Sequence, residues 1–168
     1  MLSKPTIRDI FERPDQGRVR ADLAAFVGPH AEAYLRVYDK MRESSKNWVM
    51  SWSWPGLFAS NVWLFYRKLY VLGALCLVIP LAIALVFDLD AASDIAVAVV
   101  IAVSAKAWYV SAGLRRIADA DQLELLGAER SDFLRRTGGV SASAGWLAGF
   151  LQAAIAVLVI VNMIESAG

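Results

Sequence analysis

The sequence predicts an all-α membrane protein, and three observations carry that expectation. The chain of 168 residues is 58% hydrophobic, with a mean hydropathy of +0.48, more apolar than soluble domains of this size ordinarily are. Its charges and apolar runs alternate at the scale of whole elements. Residues 1–68 hold 11 Lys/Arg and 7 Asp/Glu, residues 69–113 only Lys106 and 3 Asp, residues 114–136 five of each sign, and residues 137–168 only Glu165. Finally, aromatic side chains crowd the boundary before the first long apolar run, in Ser51–Tyr70, SWSWPGLFASNVWLFYRKLY.

Residues 1–47 read as a cytosolic helical arm. Thr6 is placed to cap a short helix from Ile7, and RPDQG at 13–17 breaks it. A longer helix is expected from about Asp22 to Glu43. Leu23, Phe26, Val27, Tyr34, Leu35, Val37, Tyr38 and Met41 recur there at helical spacing around the Gly28-Pro29 interruption. So short an arm builds little core by itself, so its apolar stripe needs the membrane surface, another cytosolic segment or another protein.

Residues 48–68 read as an interfacial aromatic-basic segment. Arg67-Lys68 argues against a span starting near Leu57, since a charge at mid-depth costs about 2.5–3.5 kcal/mol even on the lenient insertion scale. Indole rings favour the headgroup boundary, where the N–H keeps a partner. On this reading Pro55-Gly56 turns the segment, and Arg67-Lys68 holds it at the phosphates.

Residues 69–168 read as a domain of three transmembrane helices. Leu69–Phe87 is the first; 19 uncharged residues cover about 28 Å, one hydrocarbon thickness. Pro80 should kink it. DLDAASD at 88–94 is an acidic turn, and the second span runs from Ile95 to about Tyr109 or Leu114. It continues as a charged helix toward Gly127 in a cytosolic loop, 114–144. Gly145–Ile164 is the third span. The excess of basic residues before the first span and in the 114–144 loop predicts a cytosolic N-terminus and a C-terminus outside. The first apolar run begins after residue 55, so no cleaved signal peptide is expected.

Within this pattern the aromatic segment resembles a known signature. Trp52, Trp54, Phe58, Trp63, Tyr66, Arg67, Lys68 and Tyr70 match the W-N-W-x-A-F-F-F…W-x-x-Y-R-K-M-Y element of bacterial domain-of-unknown-function family 2628. FVGPHAEAYL (26–35) is similar to that family's upstream element, and AWYVSAGLRRI (107–117) to its post-span segment with Trp108 and Tyr109. Ser53 stands where the family has Asn, Leu57 and Ala59 thin its Phe run, and the third span is additional. The resemblance implies a small protein of the bacterial inner membrane and no reaction.

Chemistry-bearing constellations are sparse. One histidine, His30, and one cysteine, Cys76, fall on opposite sides of the expected interface and make no zinc set. Asp119, Asp121 and Glu124 lack the spacing of a calcium loop and read as a solvated helical face. No phosphate-binding glycine loop or nucleophile elbow is present, and no cofactor is expected. A net charge of +1 offers no field for nucleic acid. Lys106 is an intramembrane cation that snorkels or contacts an ion or anionic lipid. Gln152 and Asn162 are candidates for interhelical hydrogen bonds. Gly145 and Gly149 on the third span, and Ala102 and Ala105 on the second, form small-residue packing faces. The expected partners are membrane lipids and other integral membrane subunits, or a second copy. Two functional classes follow: a non-catalytic accessory or scaffold subunit of a larger inner-membrane complex, or a small homo-oligomeric channel or transporter. A lipid-directed enzyme is a third, lacking any nucleophile–base pair.

Overall fold

A computed structural model describes residues 5–84 and 91–167, and every regular element among them is an α-helix. Helix α1 (Ile7–Phe11) starts where the sequence places it. The Thr6 hydroxyl accepts the Asp9 N–H and the Asp9 carboxylate accepts the Thr6 N–H at 2.7 Å, a closed capping box. Those bonds hold the Asp9 carboxyl below its usual range. After the Arg13–Asp15 break, Asp15 caps α2 (Gln16–Val27) by accepting the Arg18 N–H at 3.0 Å.

The single long helix expected over 22–43 is two. Gly28 and His30 both take positive φ, 76° and 67°, and separate α2 from α3 (Glu32–Glu43). Pro55-Gly56 likewise does not make a turn. Proline tolerates the first helical turn, where its missing N–H has no partner to lose. It opens α4 (Trp54–Phe58), with the Ser53 hydroxyl accepting the Gly56 N–H. Helix α5 (Ser60–Tyr66) follows at once. It ends with Lys68 at φ 59°, the Lys68 N–H donating to the Phe65 carbonyl and the Leu69 N–H to that of Leu64. That is a Schellman ending with lysine in the place glycine usually takes.

Helix α6 (Tyr70–Ala84) contains Pro80; residues 85–87 of the expected first span, and 88–90 of the acidic turn, lie outside the described residues. Asp94, expected in that turn, is already inside α7 (Ala91–Gln122). At 32 residues α7 is about 48 Å long. Nor is 114–144 a loop: α7 occupies its first part and α8 (Gly127–Thr137) much of the rest. Helix α9 (Ala142–Ala167) ends the chain.

The core gathers around the second half of α7. Leu23 and Val27 of α2, Tyr38 and Met41 of α3, Leu134 of α8, and Tyr109, Leu114 and Ile117 of α7 are all fully buried. The N-terminal arm is therefore not a separate body. Its stripe is covered by the continuation of the expected second span, whose apolar positions keep helical register into the charged stretch. An ion-pair network seals this end. Arg130, only 4% exposed, donates to Asp22 at 2.8 Å and to Asp121 at 2.7 Å, and Asp121 also accepts from Arg13 at 2.7 Å. Asp121 is thus drawn into a network joining four segments, not left on a solvated face.

Two helices are long and apolar enough to cross a membrane: Ala96–Gln122 within α7, half buried in protein, and the apolar part of Gly127–Leu158. The latter range includes the break between α8 and α9, so its crossing portion belongs to α9, and only 6% of it is buried. Tyr70–Pro80 in α6 is a shorter apolar stretch.

Gly138 sits where α8 passes the end of α2. A Cβ there would lie 2.1 Å from the Phe26 carbonyl oxygen, a backbone atom that cannot step aside. Gly138→Ala should destabilise the fold by about 3 kcal/mol, read as a lower thermal midpoint of the detergent-solubilised chain. Asp22→Ala removes two charge-assisted bonds of the buried Arg130 guanidinium, which keeps Asp121 as a partner, and should cost about 2–3 kcal/mol in the same measurement, whereas the exposed Glu129→Ala should leave the midpoint unchanged.

Candidate interface and assembly site

The aromatic-basic signature divides into two groups that face different surroundings. Trp63, Arg67 and Tyr109 turn inward. The Arg67 guanidinium carbon lies 4.9 Å from the Tyr34 ring centroid, 5.0 Å from that of Tyr109 and 6.0 Å from that of Trp63. Tyr109 also meets Phe26 at 5.1 Å, Tyr34 at 5.4 Å and Trp63 at 6.4 Å between centroids. One cation is thus held by the ring faces of α3, α5 and α7, an arrangement worth about 2 kcal/mol where water is excluded. No carboxylate pairs with Arg67 among the described residues, and its buried Nε lacks a hydrogen-bond partner there. The Tyr34 hydroxyl is pushed above its usual range by burial, with the Arg67 charge pulling against that shift.

Tyr109, expected at a lipid boundary, is fully enclosed by protein, and Trp63 is 6% exposed. The Tyr109 hydroxyl donates to the Gly139 carbonyl at 2.8 Å, which ties the α8–α9 connection to α7. The Lys68 Nζ donates to the Arg136 carbonyl at 2.9 Å, at the C-terminal end of α8. A cation there complements the orphan carbonyls of the last turn.

Trp52, Trp54 and Phe58 turn outward. Trp54 stacks on Phe58 at 5.9 Å and meets Trp52 edge-on at 5.2 Å. Phe58 is 80% exposed. This ladder stands beside α7, because Gly56 lets α4 approach Ala102 and Ala105 closely; a Cβ on Gly56 would lie 3.3 Å from each. The small face of the second expected span is therefore used by α4. Tyr66 and Tyr70 are partly exposed, and Trp108 is half-buried beside Arg115 and Arg116.

Gly145 and Gly149 part company. A Cβ at Gly145 would sit 3.2 Å from the Tyr66 ring, whereas Gly149 has nothing near it. Among the described residues, helix α9 leans on α5, with slight contact at most to α6 and α7. Its outer surface, including Trp146, Leu147, Phe150 and Leu158, is about 70% exposed. Gln152 lines an apolar groove between α6 and α9 together with Asn61, whose buried Oδ1 has no partner among the described residues. Lys106 lies outside that groove, its Nζ donating to the Trp52 carbonyl at 2.7 Å. The Asn162 side chain lies outside the described residues. Among those residues no three His, Cys, Asp or Glu side chains converge as a metal set.

Two features escaped the sequence reading. The Arg130 network joins residues more than 100 positions apart, with no local pattern to announce it. The inward half of the aromatic group did have a signal: Tyr109, Leu114 and Ile117 continue one helical stripe past the expected end of the span.

Compared with protein-family models, with curated proteins and with solved structures, the chain matches none. The family resemblance rests on its motif residues alone.

Removing the Tyr109 hydroxyl leaves the Gly139 carbonyl without its donor. Tyr109→Phe should cost about 1 kcal/mol in denaturant unfolding within micelles, and should speed protease cutting at residues 138–141. Arg67→Leu, which empties the aromatic cage of its charge, should cost about 2 kcal/mol.

Proposed function

We propose that this protein is a non-catalytic accessory or scaffold subunit, anchored in the bacterial inner membrane and docked on other integral membrane proteins. One observation supports the reading above others. A closely packed helical core is joined to an α9 whose apolar surface its own chain leaves almost bare, with 6% of the apolar window buried. An apolar helix of that length exposed to water would carry a severe cost; lipid or a neighbouring membrane subunit removes it. In the same reading α6 and α7 form a hairpin through the bilayer, α9 is the third span, and the core around Arg130 and Tyr109 is cytosolic.

The alternative, a homo-oligomeric channel or transporter, has one observation in its favour: Asn61 and Gln152 place two uncharged polar groups in an otherwise apolar groove. Polar side chains of this kind serve pores and interhelical hydrogen bonds alike.

A photo-crosslinker at Leu147 or Phe150, activated in native membranes, separates the readings. One stoichiometric adduct with a different membrane protein is expected. A ladder of self-adducts would favour the channel, and adducts to lipid alone would remove the docking role. Labelling of single cysteines in a Cys76→Ala chain should find Ser44 reachable only from the cytosol; labelling from outside would overturn the orientation.

A further inference from the structure

Between α3 and the segment leading into α4 lies a pocket that the accessory role does not use. Arg36 and Lys40, one turn apart on α3, form one wall, Lys106 of α7 another, and Ser51 and Trp52 the rim. Three cations converge there. Among the described residues none of them is within ion-pair distance of a carboxylate. Of the three acids on the same helix, Glu32, Asp39 and Glu43, Asp39 is occupied by Arg20, and neither glutamate is within ion-pair distance of Arg36 or Lys40.

The donors are held ready. Lys106 spends one N–H on the Trp52 carbonyl at 2.7 Å, which leaves two of its three for another acceptor. The Ser51 backbone is pinned, its N–H donating to the Val103 carbonyl at 2.9 Å. The Ser51 hydroxyl is nevertheless buried without a hydrogen-bond partner among the described residues, an omission that buried polar groups rarely tolerate. A guanidinium, two ammonium groups and a hydroxyl donor suit a tetrahedral oxyanion with several acceptor oxygens. A ligand with a single acceptor oxygen would leave donors unused. Beside the pocket stands the ladder of Trp52, Trp54 and Phe58, an apolar surface next to a cationic one.

We propose that the Arg36–Lys40–Lys106–Ser51 pocket binds a phosphate group, presented by an anionic lipid headgroup or free in solution. Arg36 and Lys40 neutralise the charge, Lys106 orients it, and the Ser51 hydroxyl donates to a phosphate oxygen. The lipid source rests on the membrane reading given above, because acyl chains would then run along the aromatic ladder; the anion chemistry does not.

The test uses the full chain, delipidated in detergent. Native mass spectrometry measures retention of added phosphatidylglycerol and phosphatidylcholine, and calorimetry measures binding of inorganic phosphate alone. Wild-type chain should hold the anionic lipid about tenfold more tightly than the zwitterionic one, and Arg36→Gln/Lys40→Gln should abolish that preference. Both side chains are exposed, so the variant should keep the wild-type thermal midpoint. Arg8→Gln/Arg18→Gln, with the same loss of net charge elsewhere, should keep the lipid preference. Phosphate binding without lipid, lost in the same variant, supports the site with a soluble source. Arg36→Gln/Lys40→Gln that matches wild type for both ligands overturns it. Solubility without detergent would count against the membrane reading and leaves the phosphate comparison standing.

Discussion

The fold depends on Tyr109 being surrounded. Its ring is the meeting point of Phe26 from α2, Tyr34 from α3, Trp63 from α5 and the Arg67 guanidinium, and its hydroxyl holds the strand of chain that leads from α8 into α9. Each segment that reaches this point is short or weakly helical alone. Helices α4 and α5 are 5 and 7 residues long, below the length at which an isolated helix persists in water. Their order comes from packing, α4 on α7 and α5 chiefly on α9 and α6. A cation at the centre adds direction that apolar contact lacks, because ring faces attract it and ring edges do not.

How much of this could be read from residue order depends on the range of the interaction that decides each feature. The helical class, the Thr6 start, the break after Glu12 and the apolar run of α9 are local, set by capping, proline and hydrophobic length within a few residues. The Gly28–His30 interruption was visible as Gly-Pro; its strength was not, because two positive φ values in three residues separate the helices outright. The partner of the 22–43 stripe was unreadable for a different reason. Tyr38 and Met41 fit a membrane surface or a protein equally well by periodicity, and only the reach of α7 past the bilayer-length window decides between them.

The aromatic signature shows the same division within a single motif. Composition marks every Trp and Tyr near an apolar run as a boundary residue, since each has an apolar body and a polar tip. Yet α5 turns Trp63 and Arg67 toward the core while Trp52, Trp54 and Phe58 stay outside. The rings and charges in Ser51–Tyr70 thus serve two ends: some lock the fold, others offer a surface. Arg130 marks the limit of such reading, since nothing near it in sequence foretells Asp22.

Helix α7 is continuous from Ala91 to Gln122 and contains no proline. Its first half is largely apolar, with Val99 and Val100 exposed, and its last turns are clamped by Asp121 to Arg13 and Arg130. A rod fixed so firmly at one end behaves as a lever: a change of tilt where the apolar end is gripped is delivered, undamped by any hinge, to the charged clamp some seven turns away.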